Sequence, residues 1–454
     1  MKYPAYPSYR PNRVGCFEEL PDAWTVRRLR FLVHGIDQGW SPQANNMPAE
    51  DGEMGVLKLS AVGGGAFYPG ENKHLEEVPE GQVILTPKAQ DVLMTRANTP
   101  SLVGDVCHVS QDYPDLIIPD LIYRIRVDHT QVAPRYLMYT LLSWAGRAQI
   151  ESLARGSSAS MVKLGQGHLK DFQIPLPPRE EQDQVVAFLD WRTGQIDSLI
   201  AKKKELIEKL KENRTAVTTQ VVTKGLNTSA PLHDSGIAWL GYVPEHWEIS
   251  KAKFVCDRIV DCKNRTPEYF DDGDFYVVRT SDVKDGKVEL EYALRTNLEN
   301  YQEWTLRGAP QARDVLFTRE APAGEAAIFN GESQVCMGQR MMYFRVDSQK
   351  LLPEYLLAYI YTKSIRAYID GESDGSTVTH LRLGQVYDMK FLRPPLKEQI
   401  AIISYLEAQL AKIEWMITRA EWVIGKLDEY RTALITDAVT GKIDVRGVQI
   451  PVQL

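Results

Sequence analysis

The chain states one pattern twice, about 220 residues apart, and each statement ends in a stretch whose apolar residues return every seventh position. Pro21, Trp24, Val26 and Phe31 are answered by Pro244, Trp247, Ile249 and Phe254 in the same order and spacing. Asp91-Val92-Leu93-Met94-Thr95-Arg96 returns as Asp314-Val315-Leu316-Phe317-Thr318-Arg319, and Leu164-Gly165-Gln166 returns as Leu383-Gly384-Gln385. Pro177-Pro178 with Glu181-Gln182 returns as Pro394-Pro395 with Glu398-Gln399. A self-match through most of a chain predicts two similar domains related by a pseudo-two-fold. A protein built that way suits a target that is itself in two halves.

The repeat divides the chain into a first domain over 1–179, a helix over 180–225, a second domain over 226–395, a helix over 396–446 and a C-terminal tail over 447–454. With 454 residues there is enough chain for two cores plus connecting helices. In the first domain, β-branched runs from Gly81 to Leu85 and from Leu121 to Val127 alternate with Gly/Pro turns and a helical stretch from Pro134 to Ile150. The second answers with Tyr276 to Val278 and Met341 to Val346 as strands and Pro353 to Ile369 as the helix. Two segments depart from the match: 1–13 has no obvious counterpart, and Gly63 to Gly81 aligns poorly with Gly286 to Leu306.

Prolines 175, 177 and 178 forbid a helix before them, while Glu180 and Glu181 favour the positive end of a helix that opens after them. Gly225 and Gly441 stand where the two helices should stop. In the second helix Leu406, Ile413, Ala420, Leu427 and Leu434 keep a period of seven, with Leu410, Ile417, Ile424 and Ala438 on a parallel register. The first carries Leu189, Ile196, Leu206, Leu210, Val217 and Val221 on a less regular stripe. Such a period predicts left-handed supercoiling against a partner helix. The two stripes are the simplest partners for each other, the alternative being two helices packed separately on their own domains.

The expected fold class is therefore α+β: two pseudo-two-fold related α+β domains separated by two long antiparallel helices forming a coiled coil. Helices of about 40 residues, at roughly 1.5 Å per residue, are about 60 Å long. Paired antiparallel, they would hold the domains at the ends of a rod that reaches two sites a DNA turn or more apart.

Several chemistries are missing from the sequence. It holds no G-x-x-x-x-G-K-[ST] phosphate loop, no Asn/Asp-Pro-Pro-Tyr/Phe loop of an amino-methyltransferase and no H-E-x-x-H among its eight histidines. Gly63-Gly64-Gly65 lacks the strand-to-helix context of a dinucleotide site and reads as a turn. Cys16, Cys107, Cys256, Cys262 and Cys336 are odd in number and scattered, which fits reduced thiols rather than disulfides or zinc. With no apolar run of bilayer length and no hydrophobic signal core in 1–13, a cytoplasmic location is expected. No catalytic residue, metal site or cofactor is expected in the chain, which leaves recognition.

The duplicated order resembles the specificity subunit of Type I restriction-modification systems across essentially the whole chain. Its most specific pieces are Ile174 to Gln182 with Leu189, and Arg393 to Gln399 with Leu406. Gly156-Ser157-Ser158 and Gly375-Ser376-Thr377, and the helix ends Ala216 to Lys224 and Ala433 to Lys442, also look like the family. The resemblance implies two target recognition domains that each read one half of a bipartite duplex DNA target. It also implies helices that set the spacer and dock two adenine methyltransferase subunits, S-adenosylmethionine bound on those partners, and a motor-nuclease subunit that joins for cleavage. The subunit itself would be non-catalytic. A stand-alone DNA-binding regulator and a protein-binding scaffold are the rival readings. The net charge of -7 weighs against the regulator, because unaided DNA affinity comes largely from Lys and Arg.

Base reading needs forked donors presented from loops: Arg or Lys to guanine, Asn or Gln to adenine. Aligning the repeats sets Lys58 opposite Arg279, Ser60 opposite Ser281, and Ser41 opposite Thr266. Arg96 and Arg319 share a turn after a strand, with Asn98 following in the first copy. Ser157, Ser158 and Lys163, mirrored by Ser376, Thr377 and His380, could donate to phosphates or bases. Intradomain ion pairs for the arginines and turn capping for the hydroxyls are the plainer readings. Lys202-Lys203-Lys204 reads as a solvated face.

Overall fold

Pro177-Pro178 and Pro394-Pro395 end one element and open the next, as residues without an amide proton must. In the computed structural model, which describes residues 3–12, 17–77, 81, 83–158, 161–263, 265–372 and 380–451, helices α1 (Arg179–Lys224) and α2 (Leu396–Val439) follow them. Both helices stop at a glycine in the left-handed region, Gly225 at φ +76° and Gly441 at φ +73°. A Cβ on Gly441 would lie 2.5 Å from Pro21 Cδ, and one on Gly225 3.1 Å from Trp247 Cζ2. Gly441→Ala therefore combines left-handed backbone strain with overpacking, and is expected to cost about 2–3 kcal/mol in denaturant unfolding. An unchanged midpoint would show that the helix end relaxes freely.

The chain divides into two compact units, Met1–Lys203 with Trp422–Leu454, and Lys204–Glu421. In the first, a four-stranded antiparallel sheet runs in the order Val106–His108, Val92–Thr95, Ile122–Val127, Val33–Gln38. The second repeats that order with Ala326–Ile328, Val315–Thr318, Met341–Val346 and Cys256–Asp261. A three-stranded sheet recurs as well. Gly55–Leu57 lies parallel to Leu116–Ile117 and antiparallel to Asn72–His74, and Phe275–Val278 stands in the same relation to Val335–Met337 and Leu294–Thr296. The architecture is α+β, with two domains of one topology and two long helices.

Each unit takes the start of one long helix and the end of the other. In the first, Val185, Phe188, Leu189, Ile196 and Ile200 of α1 share a core with Leu434, Ile435, Ala438 and Val439 of α2. In the second, Val221 and Val222 of α1 share a core with Ile402 and Leu406 of α2. Early α1 meets late α2 and late α1 meets early α2, so the pair is antiparallel. Each buried aliphatic side chain stabilises by roughly 1.5–3 kcal/mol relative to exposure.

Equivalent hydrogen bonds tie the domains to the helix ends. The Tyr136 hydroxyl donates to Val439 O (3.2 Å) and Trp144 N–H to Thr436 Oγ1 (2.9 Å). The Tyr355 hydroxyl donates to Val222 O (2.7 Å) and Lys363 N–H to Thr219 Oγ1 (3.0 Å).

The repeated Glu-Gln pair closes each helix entrance. Glu181 Oε1 accepts from Trp24 Nε1 (3.0 Å) and from the Tyr6 hydroxyl (2.6 Å), and Glu398 Oε2 accepts from Trp247 Nε1 (2.9 Å). The amide of Gln182 accepts from Ala133 N–H (2.8 Å) and donates to Pro177 O (3.0 Å) and Gln131 O (3.3 Å). That of Gln399 accepts from Leu352 N–H (2.9 Å) and donates to Pro394 O (2.8 Å) and Lys350 O (2.9 Å).

Five expectations are corrected. Leu206 is 40% exposed and the inward position is Ile207, at 7%. The buried stripe Ile196, Ile200, Ile207, Leu210, Val221 advances in heptad steps, and residue 206 falls one position off it. The stretch from Pro134 to Ile150 is two helices, Pro134–Leu142 and Trp144–Leu153, parted at Ser143, whose Oγ accepts from Gly146 N–H (3.1 Å). Pro353 to Ile369 likewise splits into Pro353–Ile360 and Lys363–Glu372 at Thr362, whose Oγ1 donates to Tyr359 O (2.7 Å). In each break a side-chain oxygen competes with the helical backbone bonds. Residues 83–85 form no strand: Val83 is 85% exposed, and Leu85 instead offers its carbonyl to Ile118 N–H (2.8 Å).

The N-terminal segment, fifth, does have a counterpart in the second repeat. Tyr9–Pro11 pairs with Glu19–Pro21 as Leu232–Asp234 pairs with Tyr242–Pro244. Backbone pairing is shared there although the side chains are not, so no residue match announces it.

Cys107, Cys256, Cys262 and Cys336 are free thiols, and Cys16 lies outside the described residues. Among the described residues no helix is long and apolar enough to cross a membrane, and no cluster of His, Cys, Asp or Glu could hold a metal.

Candidate nucleic-acid interface

The three-stranded sheet in each unit delivers its central strand into a 3-10 turn, Leu59–Ala61 in one and Thr280–Asp282 in the other. Lys58 and Arg279 are the residues immediately before those turns, so the repeat alignment places them alike. Their surroundings share one feature. Lys58 Nζ stands 3.9 Å from Glu71 Oε2, which also accepts from Ser60 Oγ at 2.7 Å. Arg279 grips Asp282 through Nε (3.2 Å) and Nη2 (3.1 Å), and Ser281 Oγ donates to the same carboxylate at 2.9 Å.

A second group in the first unit gathers on Asp120. Ser41 Oγ donates to its carboxylate, and Arg96 Nη1 lies 3.3 Å from its carbonyl and 3.9 Å from its Oδ2. Strand pairing brings Asn98 opposite Val162 and Ala97 opposite Lys163, so Asn98 and exposed Lys163 share one small sheet, with Arg96 immediately before its first strand. Ser157 and Ser158 lie on the third strand of that sheet, Arg155–Ser158, as backbone. Ser376 and Thr377 are outside the described residues.

In the second unit the equivalent turn is built differently. Arg319 is only 7% exposed and pairs with Asp261 Oδ1 at 3.2 Å. Burial pushes the Asp261 carboxyl up, against the lowering effect of Arg319. This corrects the expectation that Arg319 is presented from its turn for a ligand: it is buried in an intradomain ion pair. His380 Nδ1 meets Glu320 Oε1 at 3.2 Å, and Thr266 is exposed.

Lys58, Arg96, Arg279 and Arg319 thus come paired with carboxylates rather than as an open basic strip. A carboxylate behind a guanidinium weakens its pull on phosphate but fixes its direction. Asp282 occupies the Nε–Nη2 edge of Arg279, which leaves the other donors of the fork for a base edge. Sequence reading missed the Tyr276–Arg295 pair, directly opposite in register on neighbouring strands, with the guanidinium 4.7 Å from the ring centroid. It also missed Lys263 and Arg265 over the Trp304 ring at 4.9 and 5.2 Å. Among the described residues neither has an equivalent in the first repeat, so the self-match carried no signal for them.

The family model described as the Type I restriction modification DNA specificity domain matches this chain twice, over residues 49–211 and 244–420. The chain belongs to this family. The first match takes in its domain from residue 49 and the second from residue 244, and each runs into the long helix that follows. The putative type I restriction enzyme MjaX specificity subunit of Methanocaldococcus jannaschii is 22% identical over 453 residues, 97% of either chain. The EcoKI specificity subunit of Escherichia coli is 22% identical across 94% of this chain and 90% of its own length. A chain from a structure of the type I R-M system shares the fold, with a TM-score of 0.64 and 16% identity over 93% of this chain and 99% of that one. The protein is a Type I restriction-modification specificity subunit with two DNA specificity domains.

Proposed function

We propose that each specificity domain reads one half of a bipartite DNA target, and that the paired helices set the spacer and dock two adenine methyltransferase subunits. The observation that carries this is the duplication: two domains of one topology, each matched by the family model, with divergent surface segments on a shared frame. The chain is non-catalytic in this reading. S-adenosylmethionine binds on the methyltransferase subunits, which flip the adenine and methylate it, and a motor-nuclease subunit joins for cleavage. The acidic balance of the chain, -7, then has a physical account, since partner subunits closing around the duplex share the phosphate contacts.

Single-molecule methylation mapping of the host genome with and without the chain tests the reading. Loss of one two-part adenine-methylated motif is expected, and an unchanged methylation map overturns it. Within the site, Arg96→Ala or Arg279→Ala is expected to relax discrimination at one base of one half-site by about 1–3 kcal/mol. Methylation-site sequencing with each variant checks this, and unaltered specificity would assign both residues to their carboxylates alone.

A further inference from the structure

Phe31 and Phe254 are each 63% exposed, and they occupy the same position of the two repeats. Each ends or nearly ends a short turn that is buried on its other side: Leu29–Phe31 through Leu29, and Ala252–Val255 through Ala252 and Val255. The two turns therefore face inward with aliphatic side chains and outward with the phenylalanine. Neither ring belongs to the core of its own unit.

The charges around the two rings are also duplicated. Beside Phe31, Arg28 and Arg30 both pair with Asp171, the first at 3.5 Å. Beside Phe254, Lys251 and Lys253 pair with Asp388 at 3.0 and 2.8 Å, and Lys253 Nζ lies 5.5 Å from the Phe254 centroid. In the first unit Val26, Arg28, Phe31, Asp128 and Gln131 line one open depression. Both patches flank the strand that leads to a long helix, Gln173–Leu176 before α1 and Lys390–Arg393 before α2.

A surface kept in both halves, where other surface segments have diverged, faces something that is the same in both halves. The bases of two different half-sites do not meet that condition. The sugar-phosphate backbone and a partner present in two copies do. An exposed phenylalanine gains nothing from a phosphate, and Asp171 or Asp388 at the centre of the patch repels one. A protein surface with an apolar pocket and an acidic rim satisfies both the ring and the surplus cation, and buried aromatic anchors of this kind dominate interface energies.

We propose that Phe31 and Phe254 are the anchor points for the two methyltransferase subunits, one on each domain, with Arg28 and Arg30 or Lys251 and Lys253 facing acidic residues of the partner. The proposal rests on the reading given under Proposed function and adds to the docking helices one domain-borne anchor for each methyltransferase copy.

The test uses the full chain co-expressed with the methyltransferase subunit of the same host's Type I system. Native mass spectrometry gives the stoichiometry, and titration of the methyltransferase subunit gives the affinity of each copy. Phe31→Ser is expected to weaken one copy by roughly 30-fold, Phe254→Ser the other, and the double variant both. The melting of the variant chains should match the parent, because both rings are exposed. A parent that binds two copies and a double variant that binds two with parental affinity overturn this inference and leave the wider reading standing. A double variant that keeps both copies but loses DNA affinity overturns it in favour of a backbone contact. A parent that binds no methyltransferase subunit overturns the wider reading and this inference with it.

Discussion

Gln399→Leu is expected to destabilise the second unit by about 3 kcal/mol, and Gln182→Leu to do the same to the first. Both amides are essentially inaccessible, at 0% and 1% exposure, and each makes three hydrogen bonds to backbone groups. Leucine fills the volume but leaves one N–H and two carbonyls without partners, each orphan costing about 1–3 kcal/mol, moderated by relaxation. The loss should be local. Hydrogen exchange in Gln399→Leu should speed up over helix Pro353–Ile360, which Leu352 caps, and in Gln182→Leu over helix Pro134–Leu142, which Ala133 caps. Denaturant unfolding gives the magnitude, with Lys397→Ala as an exposed control expected within about 0.5 kcal/mol of the parent. A loss below about 1 kcal/mol in both glutamine variants would mean that these amides do not hold domain and helix together.

The two glutamines mark how far the sequence could be read. The repeated Pro-Pro and Glu-Gln announce a helix entrance, because proline chemistry and the helix dipole act over a few neighbouring residues. Ala133 and Leu352, the helix caps that Gln182 and Gln399 hold, lie 49 and 47 residues upstream of them, and nothing local identifies them. The heptad of α2 was legible because apolar side chains fill nearly every step. That of α1 was blurred because Thr193 and Lys203 take steps of the stripe, which left Leu206 looking as suitable as Ile207.

The breaks at Ser143 and Thr362 were hidden for a related reason. A hydroxyl that turns the chain and one that merely sits on a helix look alike in sequence. At the candidate interface the repeat gave the positions of Lys58, Arg279 and Arg96 but not their environments. Arg96 and Arg319 occupy one register, yet one lies beside Asp120 at a half-exposed turn and the other is buried against Asp261. Exposure is a property of the folded surface, and repeats preserve the frame better than they preserve the surface.

The spacer reading leads to the largest functional effect. Seven residues inserted into α1 after Lys203, together with seven into α2 after Glu421, fall where the chain passes between its two units. One heptad restores the inward stripe to within about 20° and lengthens each helix by about 10 Å, close to three base-pair steps of duplex. The methylated motif should therefore keep both half-sites and gain about three base pairs between them. Three added base pairs also turn one half-site by roughly 100° around the duplex, at 10 to 10.5 base pairs per turn, and the doubled insertion rotates the helix faces by far less. The longer target should thus be methylated more weakly than the original was by the parent, with the deficit taken up in DNA twist. Inserting the heptad in α1 alone should be worse still, because Ile196 and Ile200 would no longer share one register with Leu434 and Ile435 while Val221 and Val222 stay on Ile402 and Leu406. Methylome sequencing of the three strains reads the spacer directly. An unchanged spacer in the doubly lengthened chain would show that the helices do not measure the gap, whatever else they hold in place.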